Sequence, residues 1–256
     1  MAVTIKSDKQ IELMREAGHR LASLHEALGR EIRPGVSTLE IDRLGEELIR
    51  DMGCVPNFKN YMGYPASICV SVNNEVVHGI PSRHRILEEG DIVSLDAGLI
   101  YKGFHSDAAR TWGVGEISSE ARRLIEVCEQ SFFKGIAFAR EGSSLQDISA
   151  AIQDYVEGNG FAVVRDLAGH GIGSRLHEDP EIPNFRRRGP RLKLKAGMTL
   201  AIEPMITAGT ADVECLEDGW TIVTQDGSLA AHYENTILIT KGECEILSLL
   251  RREGTA

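Results

Sequence analysis

Cysteine, aromatic rings, long apolar runs and positive charge are all scarce in this chain, and each shortage excludes something. Five cysteines (Cys54, Cys69, Cys128, Cys215 and Cys244) lie far apart in 256 residues, are odd in number and form no C-x-x-C pair. That spacing argues against a disulfide framework or a zinc knuckle and fits a reducing, cytoplasmic setting. No stretch reaches 18 apolar residues and the first residues contain no apolar export core, so neither a membrane span nor secretion is expected. Lys and Arg number 28 against 38 Asp and Glu, a formal charge of -10. The main basic cluster is Arg186-Arg187-Arg188 with Arg191, Lys193 and Lys195. It reads as a solvated loop, too short to hold a nucleic-acid backbone. Nucleotide-binding glycine loops are missing too: Gly169, Gly171 and Gly173 flank a histidine and do not follow a Rossmann or P-loop spacing.

What the chain does have is a doubled pattern. Leu87 to Asp96 has the form L-x-x-G, five residues, then an acid, and Leu194 to Glu203 repeats it with the same count. The two acids are 107 residues apart, as are two turn glycines, Gly35 and Gly142, that each precede a capped helix. Two matches at one offset point to an internal repeat. The length, near the upper limit for one core, fits a single domain of two pseudo-symmetric halves, about 1–112 and 113–250.

Ser7 to Gln10 is a capping box, and Ile11, Met14, Gly18, Leu21, Leu24 and Leu28 follow at helical spacing. Ser37 and Glu40 open a second helix, which stops at Gly53. Further helices are predicted over about 119–139 and from Ser144-x-x-Asp147 to Gly158. Ile68–Val72 reads as a strand. Ile92–Leu95 reads as a buried strand tipped by Asp96, partnered by 103–112. Asp226-Gly227 predicts a hairpin joining 220–224 to 231–240, with a last strand over 244–249. The sum is an α/β (α+β) protein: helices on one face of a curved antiparallel sheet.

Five residues stand out as metal ligands: Asp96, Asp107, His170, Glu203 and Glu234. Each lies in or beside an apolar or glycine-rich segment. Taken one at a time, other readings stay open. An Asp on a strand usually serves a turn or an ion pair. Glu203 before Pro204 can simply end a strand, and Glu234 with His232 and Thr236 can be the polar face of a hairpin. Taken together, four carboxylates and one imidazole carry too much negative charge for a dry centre unless cations neutralise it. Two divalent ions suffice, and the hard oxygen ligands suit Mn, Fe(II), Co or Zn. Such a pair activates a water for attack on a carbonyl. His105 shares a strand face with Asp107 and is a reserve ligand. His78 and His177 each stand three residues before a proline, as a pair that can flank the site or as ordinary surface-turn histidines. His19 and His25, on the first helix, are expected at the surface.

The segments SLDAG, FHSDAARTW, AGHGIG, AIEPM and HYENT, with YPASICVSVNNEVVHGIP, resemble the type I methionine aminopeptidases of the pita-bread metallopeptidase fold over essentially the whole chain. The resemblance implies removal of N-terminal methionine from nascent polypeptides and peptides with a small second residue. It assigns Asp96 as a chelator of one ion and Asp107 and Glu234 as bridges. His170 and Glu203 complete the second ion's shell, and Glu203 also shuttles protons. His78 then contacts the scissile amide nitrogen and His177 the carbonyl oxygen. The methionine side chain lies among Tyr61, Tyr64, Cys69 and Trp220, with Phe58 and Leu176 at the edges. A flexible thioether suits such a wall, and the chain's own Met1-Ala2 start meets the small-second-residue demand.

Some bacterial members carry a cysteine where this chain has Phe58 and often a phenylalanine where it has Leu176, so bulk has moved between pocket walls. The chain lacks the N-terminal zinc-binding extension and the helical insertion of other forms, and so resembles a minimal bacterial enzyme. Alternatives are a proline dipeptidase of the same fold, or a non-enzymatic binding protein that would have lost ligands. A monomer is expected, acting in the cytoplasm, without a membrane or a stable nucleic-acid complex. Any ribosome contact is expected to be transient, because the acidic balance opposes ribosomal RNA.

Overall fold

The computed structural model describes residues 3–189 and 191–250; Met1 and Ala2 lie outside them. Four helices carry the cover. α1 spans Asp8–Gly29 behind the Ser7 cap, and Gln10 Oε1 accepts from the Ser7 amide at 2.9 Å. α2 spans Thr38–Asp51 with the reciprocal Ser37–Glu40 box. α3 spans Ser119–Ile136 and α4 Leu145–Gly158. α3 is three residues shorter than its sequence pattern predicts. The chain turns there, with Phe138 and Ala139 amides donating to Gly135 and Ile136 carbonyls. α1 comes very close to the chain end. A Cβ on Gly18 would stand 2.3 Å from the Leu247 carbonyl oxygen, so only glycine permits this approach.

One expectation about α1 is overturned. His25 is buried, 3% exposed, with Nε2 2.8 Å from the Ala108 carbonyl and its ring stacked on Trp112. It occupies the inner face beside Leu21, Leu24 and Leu28, and the loss of hydration there pushes its pKa down to about 3. The helical period already placed position 25 beside the apolar stripe. The polarity of histidine suggests the surface, but its phase on the helix puts the ring inside.

The doubled pattern has a geometric counterpart at the same offset. The Gly35 amide donates to Leu87 O and the Leu87 amide to Val36 O. In the same way the Gly142 amide donates to Leu194 O and the Leu194 amide to Ser143 O. Gly35 and Gly142 both take positive φ, 90° and 84°, as do Gly90 and Gly197, 94° and 89°. These four left-handed turns launch equivalent helices and equivalent acid-bearing strands.

The strand Ile92–Tyr101 pairs along its whole length with Phe104–Gly113, from Ile92↔Gly113 to Tyr101↔Phe104. Asp96 therefore sits mid-strand, opposite Ala109, and not at a strand tip as the sequence suggests. Gly98, two residues on, is a space-maker: a Cβ there would lie 2.4 Å from Asn57 Nδ2 and 2.9 Å from Asp107 Oδ1. Ile68–Val72 flanks this pair, with Cys69 opposite Asp96. A five-stranded sheet from the later chain has the order 245–246, 235–238, 199–202, 168–171, 178–183. Two three-stranded sheets complete a curved antiparallel α+β fold with peripheral helices.

The expected Asp226-Gly227 hairpin does not form. Gly227 does turn the chain, with φ 72°. However, Ile222–Thr224 pairs with Val213–Cys215 and Glu75–Val77, while Ala230–His232 pairs with Met205–Thr207. Local turn chemistry reversed the chain, but buried partners far away in sequence took both arms. The last strand is likewise reduced to Glu245–Ile246.

Phe104–Gly113 meets residues 232–236 in an antiparallel seam. Ala109 and Glu234 exchange backbone hydrogen bonds, at 3.3 and 2.9 Å. On one side Thr236 Oγ1 accepts from the Asp107 amide at 3.0 Å and donates to its carbonyl at 2.9 Å. On the other, Thr111 Oγ1 does the same with His232, at 3.0 and 2.9 Å. Two threonine hydroxyls thus stand in for backbone groups either side of a true backbone pair.

Candidate metal centre and substrate cavity

The seam and the two acid-bearing strands bring the sequence-predicted ligands together. His170 Nε2 lies 3.6 Å from Glu203 Oε1 and 3.9 Å from Asp107 Oδ2. The ring is held from behind, with Nδ1 2.8 Å from the Gly171 carbonyl, so Nδ1 carries the proton and the Nε2 lone pair faces the carboxylates. Asp107, His170 and Glu234 offer ligand atoms within 4.8 Å of one another, and Glu203, His232 and Glu234 form a second such set. The shared Glu234 makes this a cluster for a pair of ions. Asp96 borders the same cavity, from the strand partner of the Asp107 strand.

The electrostatics of this cluster call for cations. Burial pushes the Asp96 carboxyl up to about 7, and raises those of Asp107, Glu203 and Glu234 well above the usual range. For these three, repulsion from neighbouring carboxylates adds to the shift. Buried Asp96 Oδ1, Asp107 Oδ1 and Glu234 Oε1 have no hydrogen-bond partner among the described residues. Unpaired buried acceptors of this kind are costly, and metal coordination satisfies them. Desolvation also pushes His170 down to about 3, keeping it a neutral donor ligand. The residues fit a dinuclear centre.

Above the cluster opens a cavity of about 290 Å³. Phe58, Tyr61, Tyr64, Cys69, Leu176 and Trp220 line it, together with His78 and His177. Tyr64 meets Trp220 edge-on at 5.2 Å, and Trp220 in turn meets His78 at 6.2 Å. Tyr64 Oη donates to the Gly79 carbonyl at 2.9 Å, which turns its apolar face to the cavity. His78 has φ +60°, a left-handed conformation uncommon for a non-glycine residue. His177 packs edge-on against His170 at 4.3 Å, so it overhangs the metal ligands. His105, the reserve ligand, joins neither ligand set, and its buried Nδ1 has no hydrogen-bond partner among the described residues.

His232 is the residue that sequence reasoning passed over. It is 1% exposed, and its Nε2 lies 3.8 Å from Glu234 Oε2 and 3.9 Å from Glu203 Oε2. The signal was present, since His232 precedes Glu234 by two residues and alternation along an extended chain puts both on one face. The sequence leaves it open as the polar face of a hairpin, and that hairpin does not form.

A buried carboxylate–imidazole cluster beneath a largely apolar cavity, on a curved antiparallel frame, defines a metal-dependent hydrolase of the pita-bread architecture. The chain belongs to the metallopeptidase family M24, whose family model matches residues 12–241. It is 54% identical over 249 residues to a methionine aminopeptidase of Clostridium perfringens, covering 97% of this chain and 100% of that one. It is 49% identical over 248 residues to methionine aminopeptidase 1 of Bacillus subtilis, covering 96% and 99%. The crystal structure of a methionine aminopeptidase from Thermotoga maritima superposes with a TM-score of 0.95 at 44% identity, covering 97% of this chain and 100% of that one.

Proposed function

We propose that this chain is a type I methionine aminopeptidase, removing the first methionine from nascent polypeptides and peptides with a small second residue. The observation that carries the reading is the juxtaposition of the ligand cluster with a cavity walled by Tyr61, Tyr64, Cys69 and Trp220. An unbranched thioether fills such a wall without strain and gains sulfur–aromatic contact.

Bound at the cluster, two divalent ions would supply an acidified water and charge stabilisation at the scissile carbonyl. Asp96, Asp107, His170, Glu203 and Glu234 would hold them, and Mn, Fe(II), Co and Zn all suit this mixture of oxygen and nitrogen. Glu203 takes the proton released by the attacking water and passes it to the departing amine, a task that needs a carboxylate shielded from bulk water. His177 donates to the carbonyl oxygen as negative charge develops there, and His78 holds the scissile amide nitrogen. Burial keeps both rings below the usual histidine pKa, so each works as a neutral hydrogen-bonding group at pH 7.

The test is release of methionine from Met-Ala-Ser by protein stripped with chelator and resupplied with Mn²⁺ or Co²⁺, with Ala-Pro in parallel. Metal-dependent cleavage of Met-Ala-Ser alone is expected. Cleavage of Ala-Pro instead would move the chain to the proline-dipeptidase branch, and cleavage of neither would overturn the enzymatic reading.

A further inference from the structure

One buried ion pair ties the N-terminal segment to the loop that carries His177. Lys6 Nζ lies 2.7 Å from Glu178 Oε2, and the two side chains are only 5% and 8% exposed. Thr4 Oγ1 donates to the same oxygen at 2.6 Å and accepts from Lys6 Nζ. At the other oxygen, Oε1, the Arg175 amide donates at 3.2 Å and Ser174 Oγ at 3.4 Å. Burial works to raise the pKa of this carboxyl, but its donors, Lys6 foremost, hold it below the ordinary value. Lys6 is anchored in turn: its amide donates to the Gly197 carbonyl at 2.8 Å, in the turn that launches the Glu203 strand.

Glu178 directly follows His177. Residues 172–177 join the strand Ala168–Gly171, which bears His170, to the strand Glu178–Pro183. Of that connection, Leu176 and His177 line the substrate cavity. There is no slack on its inner side: a Cβ on Gly173 would stand 2.4 Å from Lys6 Cε and 2.7 Å from Glu178 Oε1. A buried ion pair offers little net stability over an apolar pair of the same size. What four donors around one carboxylate do supply is a single pose. We infer that Lys6 and Glu178 are positioning residues, whose ion pair fixes the loop so that the His177 ring stands over the metal ligands. This rests on the aminopeptidase reading above. Tyr61 and His170 touch the ring itself, and Glu178 ties down the backbone beside it. Without Lys6 the buried carboxylate loses its one charged partner and must turn elsewhere, and the residue before it moves too.

The experiment is a double-variant cycle on the full chain loaded with Mn²⁺, with Met-Ala-Ser as substrate. Lys6→Met keeps an unbranched side chain and removes its charge. In the wild-type background it should lower kcat by about 10- to 100-fold, the scale of a displacement of up to about 1 Å at a reacting group. In the His177→Ala background the same substitution should change kcat by less than about twofold, because the group it positions is already gone. A merely structural role would lower kcat alike in both backgrounds, so equal losses would overturn the inference. An unchanged kcat in Lys6→Met would overturn it as well. Thr4→Ala removes one hydrogen bond from Glu178 and decides the matter if Lys6→Met does not fold. Its smaller loss, about threefold, should also vanish beside His177→Ala, and equal losses or none would again overturn the inference. A wild type that binds Mn²⁺ but releases no methionine would sink the aminopeptidase reading itself. A wild type that turns over while the losses simply add would sink only the positioning role.

Discussion

The phenolic oxygen of Tyr61 stands 2.7 Å from Nδ1 of His177, and the role proposed for His177 requires the phenol to donate there, leaving the ring proton on Nε2 to serve a substrate oxygen. Tyr61 is thus both cavity wall and tautomer lock. His177→Ala should lower kcat by about 10²-fold or more, the usual loss of an oxyanion donor. Tyr61→Phe keeps the ring and removes only the lock, so its loss of kcat should be smaller than that of His177→Ala. Steady-state kinetics on Met-Ala-Ser would check both, and an unaltered kcat in either variant would contradict the assigned role.

Glu203→Gln preserves volume and one ligand oxygen but cannot carry a proton. Turnover should drop by about 10²-fold at least, the lower range for removal of a general base. Circular dichroism should show the fold intact. Wild-type turnover in this variant would remove Glu203 from the proton path.

His25 makes stability depend on pH. Its folded pKa, about 3, lies below its unfolded value near 6.5. Between those two values the unfolded chain binds a proton the native chain refuses. Stability contributed by the neutral buried ring is therefore complete above about pH 6.5 and is lost as pH falls towards 3. The loss is about 2 kcal/mol by pH 5. Replacing His25 by Asn removes this titration, so the fall in urea midpoint from pH 7 to pH 5 should be shallower in His25→Asn than in the wild type. Equal slopes would show that His25 is not the group responsible.

Gly18→Ala places a methyl 2.3 Å from the Leu247 carbonyl oxygen, a backbone atom that cannot rotate away. A gain in helix propensity of about 1 kcal/mol is set against overpacking of about 1–3 kcal/mol. A net destabilisation is expected, read as a lower urea midpoint at unchanged m-value. A higher midpoint would mean that α1 shifts away from Leu247 without cost.

Four buried carboxylates that repel one another make the metal-stripped protein the weaker one. Adding Mn²⁺ at about a hundred times its dissociation constant should stabilise the chain by about 2.7 kcal/mol per independent site. The melting temperature should rise with metal concentration and fall back with chelator. A melting temperature indifferent to metal would place the ions elsewhere than in this cluster.

Much of this was legible in the sequence because it was written locally. Ser7, Ser37 and Ser144 announced their helices through capping boxes confined to four residues each, and all three boxes form. The repeated L-x-x-G-acid pattern exposed Asp96 and Glu203 because strand burial leaves few reasons for an acid. What stayed hidden depended on distant partners. Nothing near Asp226-Gly227 says that residues 222–224 prefer Glu75–Val77. Nothing near Gly98 says that it yields space to Asp107 and Asn57. His25 and His232 were misjudged for a common reason: histidine is polar enough to be placed outside by habit, yet sheds its charge readily enough to be buried.

The threonine-stitched seam has a consequence for the order in which the molecule comes into being. Asp107 is fastened through Thr236, and Glu234 through Ala109, so each of these acids is set in place by the other's strand. A chain emerging from the ribosome therefore has no metal centre while residues 234–236 are still inside. The chain proposed to trim new proteins at their first residue becomes able to do so only once its own residues 234–236 have been made. Its two acid-bearing segments, made more than a hundred residues apart, must wait for each other before either can hold an ion.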